Sequence, residues 1–509
     1  MENNNLRIAK NTVFLAIRMV IVVCITLYTS RVILSVLGVT DYGIYNVVAG
    51  FVSMFAFLNN AMTTGVQRFY NYELGKNGLD GAHNVFNTSI WTQLVLGILI
   101  VLITESVGLW YINNKMVIPS ERFGPALWIF HFSVCSLFIN IMSVPFMAAI
   151  MSHERMGMYA YISIFDAIAK LIIALCLPLF SIDRLISYGF FLLLVTVLIF
   201  SVNACYALYN FSEVRIRRVF HKELFRDLLA FSGWNVFGKF AIVMKGQGLN
   251  MILNLFFGPV VNAARGVAYQ VNSALNGFVS TVTIAVKPQM TQSYAQGNID
   301  RTFNLMFSIS KLCYLVLLIL AVPLCLELDY VLHLWLGENI PEYTGIFIIL
   351  IVMSTFVNNL NAPVSFVVHA TGKMKRYQII TSSIELLMIP ASFIILKLGA
   401  QPWIVFVVEF VFVVIGQIAS VIILNGLISF SIRNYLTEVV LPLVFPTVIS
   451  CLVGFCFRSL FHEGFLRLIG VIGVTFVTTV LISYFCVLTR IEKEILHKSI
   501  KSLRSNSLT

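Results

Sequence analysis

The sequence predicts an all-α integral membrane protein with about fourteen transmembrane helices. Its 509 residues are 59% hydrophobic and 11% charged, with a mean hydropathy of +0.90, a balance that no soluble core of this size requires. Apolar runs of roughly 20 residues or more recur along the chain, and each is long enough to cross about 30 Å of hydrocarbon as a helix. The runs far exceed the roughly 10-residue alternating strands of membrane barrels, which favours helices.

The predicted spans follow one another with short connections. In the first half they cover residues 12–37, 41–70, 84–112, 122–151, 156–180 and 185–210. In the second half they cover residues 227–257, 260–293, 302–327, 343–371, 376–398 and 402–426, with a final pair at 434–457 and 464–488.

The distribution of Lys and Arg predicts the orientation. Connections on the side of the two termini carry nineteen of them, against six on the other side, and cytoplasmic loops are the ones enriched in these residues. Both termini are therefore expected in the cytoplasm. This topology, together with contact with anionic lipid, accounts for most of the formal charge of +11. A nucleic-acid partner is not needed to explain that charge.

Motifs of common enzyme classes are absent from the sequence. It contains no phosphate-binding glycine loop, no HExxH and no GxSxG. The nine cysteines lie without CxxC spacing, so neither a metal site nor another cofactor is predicted. We do not expect an enzyme, or ATP-driven transport by this chain alone.

Two predicted spans carry matching stripes of small and polar residues, which indicates an internal repeat. At helical spacing, 41–70 carries Asn46, Gly50, Ser53, Phe57, Asn60, Thr64 and Gln67, and 260–293 carries Asn262, Gly266, Tyr269, Ser273, Asn276, Ser280, Thr283 and Lys287. Small polar residues also let membrane helices pack closely, but whole stripes favour a cavity wall that includes Asn60 and Asn276.

The repeat predicts the division of the chain. With the basic loop at 211–226, it indicates two pseudo-symmetric six-helix lobes at 1–210 and 227–426. Two additional helices at 427–488 and a basic cytoplasmic tail at 489–509 follow the second lobe.

Cations inside the spans point to an anionic ligand, because a charge near the bilayer centre usually faces a partner or a watery cavity. Lys239 and Asn250 are eleven residues apart, which places them about 20° apart on a helical wheel. Lys245 lies on another flank of the same span. Lys239 and Lys245 are the first candidates for binding an anionic group.

Other charged residues in the spans have less specific interpretations. Arg18, Arg31 and Arg265 are candidates for the cavity, and the last two lie where a periplasmic gate is expected; Arg18 also lies near enough to the boundary to extend into the head groups. Lys170 follows Asp166 by four residues, which predicts an ion pair on one helix. The carboxylates of Asp166, Glu385 and Glu409 are candidates for carrying a coupling ion.

The first two spans carry a family resemblance. The stretch "SRVILSVLGVTDYGIYNVVAGFVSMFAFLNNAM" at 30–62, followed by "QRFYNYELGKN", resembles bacterial oligosaccharide flippases of the polysaccharide-transport family. Their superfamily, the multidrug/oligosaccharidyl-lipid/polysaccharide flippases, also contains the MATE drug exporters and the lipid II flippases. The resemblance implies a V-shaped pair of six-helix lobes around a cavity that opens alternately to the cytoplasm and the periplasm.

The same resemblance implies an activity and a location. Such proteins move polyprenyl-diphosphate-linked oligosaccharides across the bacterial inner membrane for O-antigen, capsule or exopolysaccharide assembly. A proton gradient, a sodium gradient or the membrane potential would drive the movement, and a polysaccharide polymerase with chain-length machinery would use the product. Two alternatives stay open: a MATE-type drug or cation antiporter and, with less support from the short outward loops, a membrane polysaccharide polymerase or ligase.

Overall fold

A computed structural model describes residues 2–153, 155–180, 182–217, 220–371, 373–489 and 492–493. Within its helices, the side chains outside the described part are those of 2–18, 56–61, 64, 68, 75, 156, 159–160, 227, 229–239, 242, 281, 284–289, 291–292 and 295. The described backbone is almost entirely helical and contains no strand. The all-α class predicted from the sequence is confirmed.

The helices follow the predicted spans along the chain. They are α1 Glu2–Ser53, α2 Phe57–Asn114, α3 Phe123–Ser152, α4 Met156–Cys176, α5 Arg184–Asn210, α6 Lys222–Phe257, α7 Pro259–Ala295, α8 Ile299–Leu326, α9 Leu328–Leu336, α10 Thr344–Ala370, α11 Met374–Lys397, α12 Ile404–Ile428, α13 Ile432–Tyr435, α14 Leu441–Leu460 and α15 Phe465–Ile482.

Glycines divide the two longest helices. Gly38 interrupts α1 and Gly78 interrupts α2, each with a positive φ that a side chain disfavours. The two interruptions fall between the predicted spans 12–37, 41–70 and 84–112. Each long helix therefore contains one whole predicted span and part of the predicted span 41–70.

Eleven helical segments of the described residues are long and apolar enough to cross a membrane. The predicted spans 41–70, 227–257 and 260–293 fall on helices whose side chains are only partly described, so the count of fourteen crossings stays a prediction. Large apolar side chains lie exposed on these segments, such as Leu466 and Phe485 of the C-terminal pair. An exposed apolar surface of this kind suits contact with lipid, and the chain is a multi-pass membrane protein.

The chain forms two compact units. The first contains Met1–Val267, Glu338–Thr344 and Leu386–Val405, and the second contains Ala268–Gly337, Gly345–Glu385 and Phe406–Thr509. In the first unit, one buried cluster centres on Phe51 and Phe130 and another on Tyr70 and Phe86. The predicted division into two six-helix lobes, at 1–210 and 227–426, stays a prediction.

The second unit has its own core, to which the C-terminal helices are attached. Phe307, Phe430 and Tyr435 lie in this core. Ser450 of α14 and Thr479 of α15 share a buried hydrogen bond of 2.8 Å. Arg467 of α15 donates to Glu327, which follows α8, at 2.6 Å. The hairpin of α14 and α15 is thus held on α8 by polar contacts as well as apolar packing.

Candidate functional site

Side-chain amides from three helices meet within the first unit. We call Asn46 of α1, Gln247 and Asn250 of α6, and Asn262 of α7 the amide cluster. Asn250 is 2% exposed, and its Nδ2 donates to the backbone oxygen of Asn46 at 3.1 Å. Asn262 Nδ2 donates to both the backbone oxygen and Oδ1 of Asn250, each at 2.7 Å. Because a buried amide needs such partners, these helices are joined by specific polar contacts.

Glycines allow the three helices to approach. A Cβ on Gly43 of α1 would lie 1.9 Å from the backbone oxygen of Pro259 at the start of α7. A Cβ on Gly50 would lie 2.6 Å from Gln247 Oε1, and one on Gly266 would lie 2.8 Å from Asn46 Oδ1. The small residues of the two predicted stripes therefore serve helix packing at this junction.

A buried cation lies beside the amide cluster. Arg265 of α7 is 7% exposed, and its Nη2 donates to the backbone oxygen of Gly246 at 2.5 Å. Lys245 precedes that glycine and is half-buried. The structure therefore brings three predicted site residues, Lys245, Asn250 and Arg265, to one junction of α6 and α7. The junction therefore combines positive charge with amide groups, and an anionic ligand can bind to both.

A second polar region lies at α4. Lys170 Nζ donates to Asp166 Oδ2 at 2.8 Å, which confirms the ion pair predicted from their spacing. Lys170 also lines a cavity of about 310 Å³, which we call the α4 cavity. Other polar residues of its wall are Tyr45, Ser53, Ser133, Ser136, Asn140, Tyr188 and Thr196. Sequence reasoning treated Lys170 as merely neutralised and missed this cavity, because its wall combines residues of α1, α3, α4 and α5.

The second unit contains a polar seam between α7 and α10. Asn276 Nδ2 donates to Asn272 Oδ1 at 2.8 Å, and Asn359 Nδ2 donates to Asn276 Oδ1 at 3.2 Å. Thr355 Oγ1 also donates to Asn272 Oδ1, at 2.6 Å. Asn276 is thus half-buried within a hydrogen-bonded network. Its predicted role in the cavity wall stays a prediction.

The predicted ion-coupling carboxylates lie in different environments. Glu409 of α12 is 6% exposed, and Tyr269 of α7 donates a hydrogen bond to it at 3.3 Å. Glu385 of α11 is half-buried. Asp166 is occupied by Lys170. Glu409 is the most buried of the three carboxylates, and their predicted role in ion coupling stays a prediction.

The remaining predicted site residues are Arg31, Arg18, Asn60 and Lys239. Arg31 lies exposed on α1. The side chains of Arg18, Asn60 and Lys239 lie outside the described residues. Among the described residues, no group of three or more His, Cys, Asp or Glu is arranged to hold a metal ion.

Comparison with known proteins identifies the fold. No protein-family model and no curated protein matches the sequence. Solved structures do match: the chain has the fold of the MATE transporters and of a lipid II flippase, so the predicted resemblance is confirmed at the level of the fold.

Three of these structures illustrate the match. An inward-facing multidrug resistance MATE family transporter of the MOP superfamily has a TM-score of 0.65 at 15% identity, covering 82% of this chain and 99% of its own. The lipid II flippase MurJ in an inward closed conformation has a TM-score of 0.69 at 14% identity, and the match covers 93% of this chain and 98% of the MurJ chain. A MOP superfamily transporter from Pyrococcus furiosus, described as having a binding pocket of reverse polarity, has a TM-score of 0.54 at 14% identity, covering 82% and 96%.

Proposed function

We propose that the chain is a flippase that moves a polyprenyl-diphosphate-linked oligosaccharide from the cytoplasmic to the periplasmic leaflet by alternating access. The observation that carries the proposal is the extent of the structural match. MurJ covers 93% of the 509 residues and the MATE transporter 82%, a difference of about 56 residues, close to the length of the C-terminal pair predicted at 427–488. The lipid-flippase architecture therefore accounts for more of this chain than the drug-exporter architecture does.

The charge of the membrane-spanning residues supports an anionic substrate. Arg265 is buried beside the amide cluster, and Lys245 is half-buried next to it. A diphosphate crossing hydrocarbon needs fixed cations and hydrogen-bond donors along its path. In this mechanism Lys239 and Lys245 bind the diphosphate, assisted by Arg18 and Arg31.

The amide cluster suits the role of a closed gate. Asn250 donates to the backbone of Asn46 on α1 and accepts from Asn262, so a substrate that passes there must exchange these hydrogen bonds for its own. Sugar hydroxyls and diphosphate oxygens can do so, because both are hydrogen-bonding groups. In this assignment Asn250 and Arg265 act at the gate, while Asn60 and Asn276 line the path.

The proposed location and driving force are those implied by the resemblance to oligosaccharide flippases, and the orientation is the one predicted from the Lys and Arg distribution. The protein works in the bacterial inner membrane with both termini cytoplasmic, as two six-helix lobes followed by the C-terminal pair. Transport is driven by a proton or sodium gradient or by the membrane potential acting on the anionic substrate. In the first case, Asp166, Glu385 or Glu409 binds the coupling ion. The product is passed on to a polysaccharide polymerase and its chain-length machinery, and no covalent chemistry occurs on this chain.

Translocation in proteoliposomes tests the proposal. A polyprenyl-diphosphate oligosaccharide is placed in one leaflet, and its arrival in the other is followed for the intact protein and for the Lys239→Ala/Lys245→Ala variant. We expect movement with the intact protein and at least a roughly tenfold slower rate in the variant, since about 1.4 kcal/mol of lost stabilisation suffices for that factor. Lys115→Ala, at an exposed lysine after α2, is the matched control and should transport normally.

A cationic dye distinguishes the alternative. Dye export without movement of the lipid-linked sugar would assign a MATE-type antiporter. Sugar movement that is equally fast in the double variant would retain the flippase and remove the two lysines from its mechanism. Failure of both substrates to move, in protein that is folded and oriented correctly, would overturn transport of either class.

A further inference from the structure

A groove in the second unit combines positive charge with an apolar floor. It has a volume of about 500 Å³ and lies at the start of α11 and the end of α12. We call it the α11 groove, and its principal lining residues are Lys373, Lys375, Arg376, Ile379, Ile380 and Leu427. The volume lies within the roughly 300–1,000 Å³ of ordinary ligand pockets.

The charged part of the groove consists of three cations within four positions. Lys373, Lys375 and Arg376 are all exposed, while the next residue, Tyr377, is buried in the core of the unit. The described lining residues include no carboxylate. The rim of the groove is therefore positively charged, which favours an anionic group.

The apolar part lies one turn further along the helix. Ile380 and Leu427 are half-buried and pack against the buried cluster that contains Phe430, whereas Ile379 is 46% exposed. A water-soluble anion would gain nothing from these side chains. An amphipathic anion would bury hydrocarbon on them, at roughly 25 cal/mol for each Å² removed from water.

The position of the groove relative to the membrane matches this pattern. Met374–Lys397 and Ile404–Ile428 are both candidate membrane spans, so the cations lie at the edge of the hydrocarbon and the apolar residues just inside it. Cations at this depth meet the phosphates of lipid head groups, and the residues below them meet acyl chains.

We propose that the α11 groove binds one anionic phospholipid, with its phosphate at Lys375 and Arg376 and the start of an acyl chain on Ile379, Ile380 and Leu427. The general excess of positive charge on one side of a membrane protein requires no groove and no apolar floor. The site is separate from the amide cluster and from the α4 cavity, and it does not depend on the proposed transport activity.

Lipid binding by the purified full-length protein tests the site. Delipidated protein in neutral detergent is titrated with phosphatidylglycerol or phosphatidylcholine, and bound lipids are counted by native mass spectrometry. We expect one phosphatidylglycerol to bind with higher affinity than phosphatidylcholine. Lys375→Gln/Arg376→Gln should weaken that binding at least tenfold, because each cation near an anionic lipid contributes about a fivefold change in affinity. Arg301→Gln, which removes another exposed cation outside the groove, is the matched control.

Further results test the apolar contacts, the source of the anion and the site itself. Ile379→Asn should also weaken phosphatidylglycerol binding, since it removes apolar contact while leaving every cation in place. Full competition by inorganic phosphate or glycerol phosphate would overturn the phospholipid assignment in favour of a free anion. Selective binding of a polyprenyl diphosphate over phosphatidylglycerol would overturn it in favour of the transported substrate. Equal binding by the double glutamine variant and the control would remove the site altogether, and an unchanged melting temperature shows that each variant is folded.

Discussion

Lys311 of α8 donates a hydrogen bond of 2.8 Å to Glu492, a residue that follows α15 and lies 181 positions away in the sequence. The Lys311 side chain is 4% exposed. Ser308 donates to the other carboxylate oxygen at 2.5 Å, and the backbone N–H of Thr489 donates to Glu492 at 2.8 Å. A cation inside a membrane-spanning helix is thus neutralised by the segment after the last span. The ion pair fixes that segment to the second unit. The charge of Lys311 is therefore explained by Glu492 and does not indicate a ligand-binding site.

Breaking this pair should destabilise the protein. Lys311→Met leaves a buried carboxylate without its cation, which costs about 3–5 kcal/mol in comparable sites. We expect a lower melting temperature in detergent and faster proteolysis of the chain after residue 488. The double variant Lys311→Met/Glu492→Gln should lose less stability than the sum of the two single variants, because neither charge is then stranded.

Lys397→Met, at an exposed lysine at the end of α11, is the control for loss of a positive charge. Stability losses that simply add in the double variant would contradict a direct interaction between Lys311 and Glu492.

The helices were more predictable from the sequence than the contacts between them. Apolar runs determine where a membrane helix forms, and the glycine interruptions at Gly38 and Gly78 lie between runs that composition had already separated. The ion pair of Asp166 and Lys170 was predictable because four residues make one helical turn. Lys311 and Glu492 have no such local relationship, so their pairing depends on how distant helices pack.

In the candidate site, too, the contacts between helices could not be predicted from the sequence. Periodicity placed Asn250 and Asn276 on polar faces of their helices, but it contained no information about which side chains they meet. In the structure Asn250 contacts Asn262 and α1, and Asn276 contacts Asn359. The α4 cavity was missed for the same reason, since its wall exists only after four helices are assembled.

A buried carboxylate attaches the loop after α5 to the part of α2 around its interruption at Gly78 and to the end of α3. Glu213 has a side chain that is 2% exposed and accepts a hydrogen bond from Tyr70 at 2.6 Å. His153 Nε2 lies 2.6 Å from the same oxygen, and its ring stacks on Phe211 at 4.1 Å. His83 Nδ1 lies 2.8 Å from the backbone oxygen of Glu213. The predicted interlobe loop is therefore anchored at its beginning.

This anchoring should depend on pH. Burial by itself raises the pKa of Glu213, but hydrogen bonds from Tyr70 and His153 outweigh it and hold the pKa below its ordinary value of 4.5. A carboxyl whose folded-state pKa is lowered stabilises the protein above its ordinary pKa, and that contribution is lost as the pH falls through the lowered value. Glu213→Gln should cost about 1.5–3 kcal/mol near neutral pH, and the difference from the unaltered protein should shrink below roughly pH 4.5.

Amide hydrogen exchange of residues 211–217, measured across this pH range, reads the loop directly. Glu338→Gln, at an exposed carboxylate elsewhere, should change neither the exchange nor its pH dependence. Exchange at 211–217 that is equally slow in Glu213→Gln and in the unaltered protein would exclude the carboxylate as the anchor.

The close approach of α1 to α7 predicts that a side chain at Gly43 lowers the stability of the protein. A Cβ there would lie 1.9 Å from the backbone oxygen of Pro259, and backbone cannot rotate away as a flexible side chain can. Gly43→Ala should therefore cost about 1–3 kcal/mol as the helices are forced apart. The amides of residues 39–53 should exchange faster as the contacts of Asn46 weaken, and the melting temperature should fall.

Gly246 of α6 provides the matched control, because nothing lies within 4 Å of the Cβ that alanine would add. Alanine also favours helix over glycine by about 1 kcal/mol, so Gly246→Ala should leave stability unchanged or raise it, while the backbone oxygen that accepts from Arg265 is retained. The two substitutions add the same methyl group to neighbouring helices, so opposite changes in melting temperature isolate the steric contact with Pro259 from any general effect of removing glycine. Equal changes in the two variants would mean that α1 and α7 do not require the close approach at Gly43.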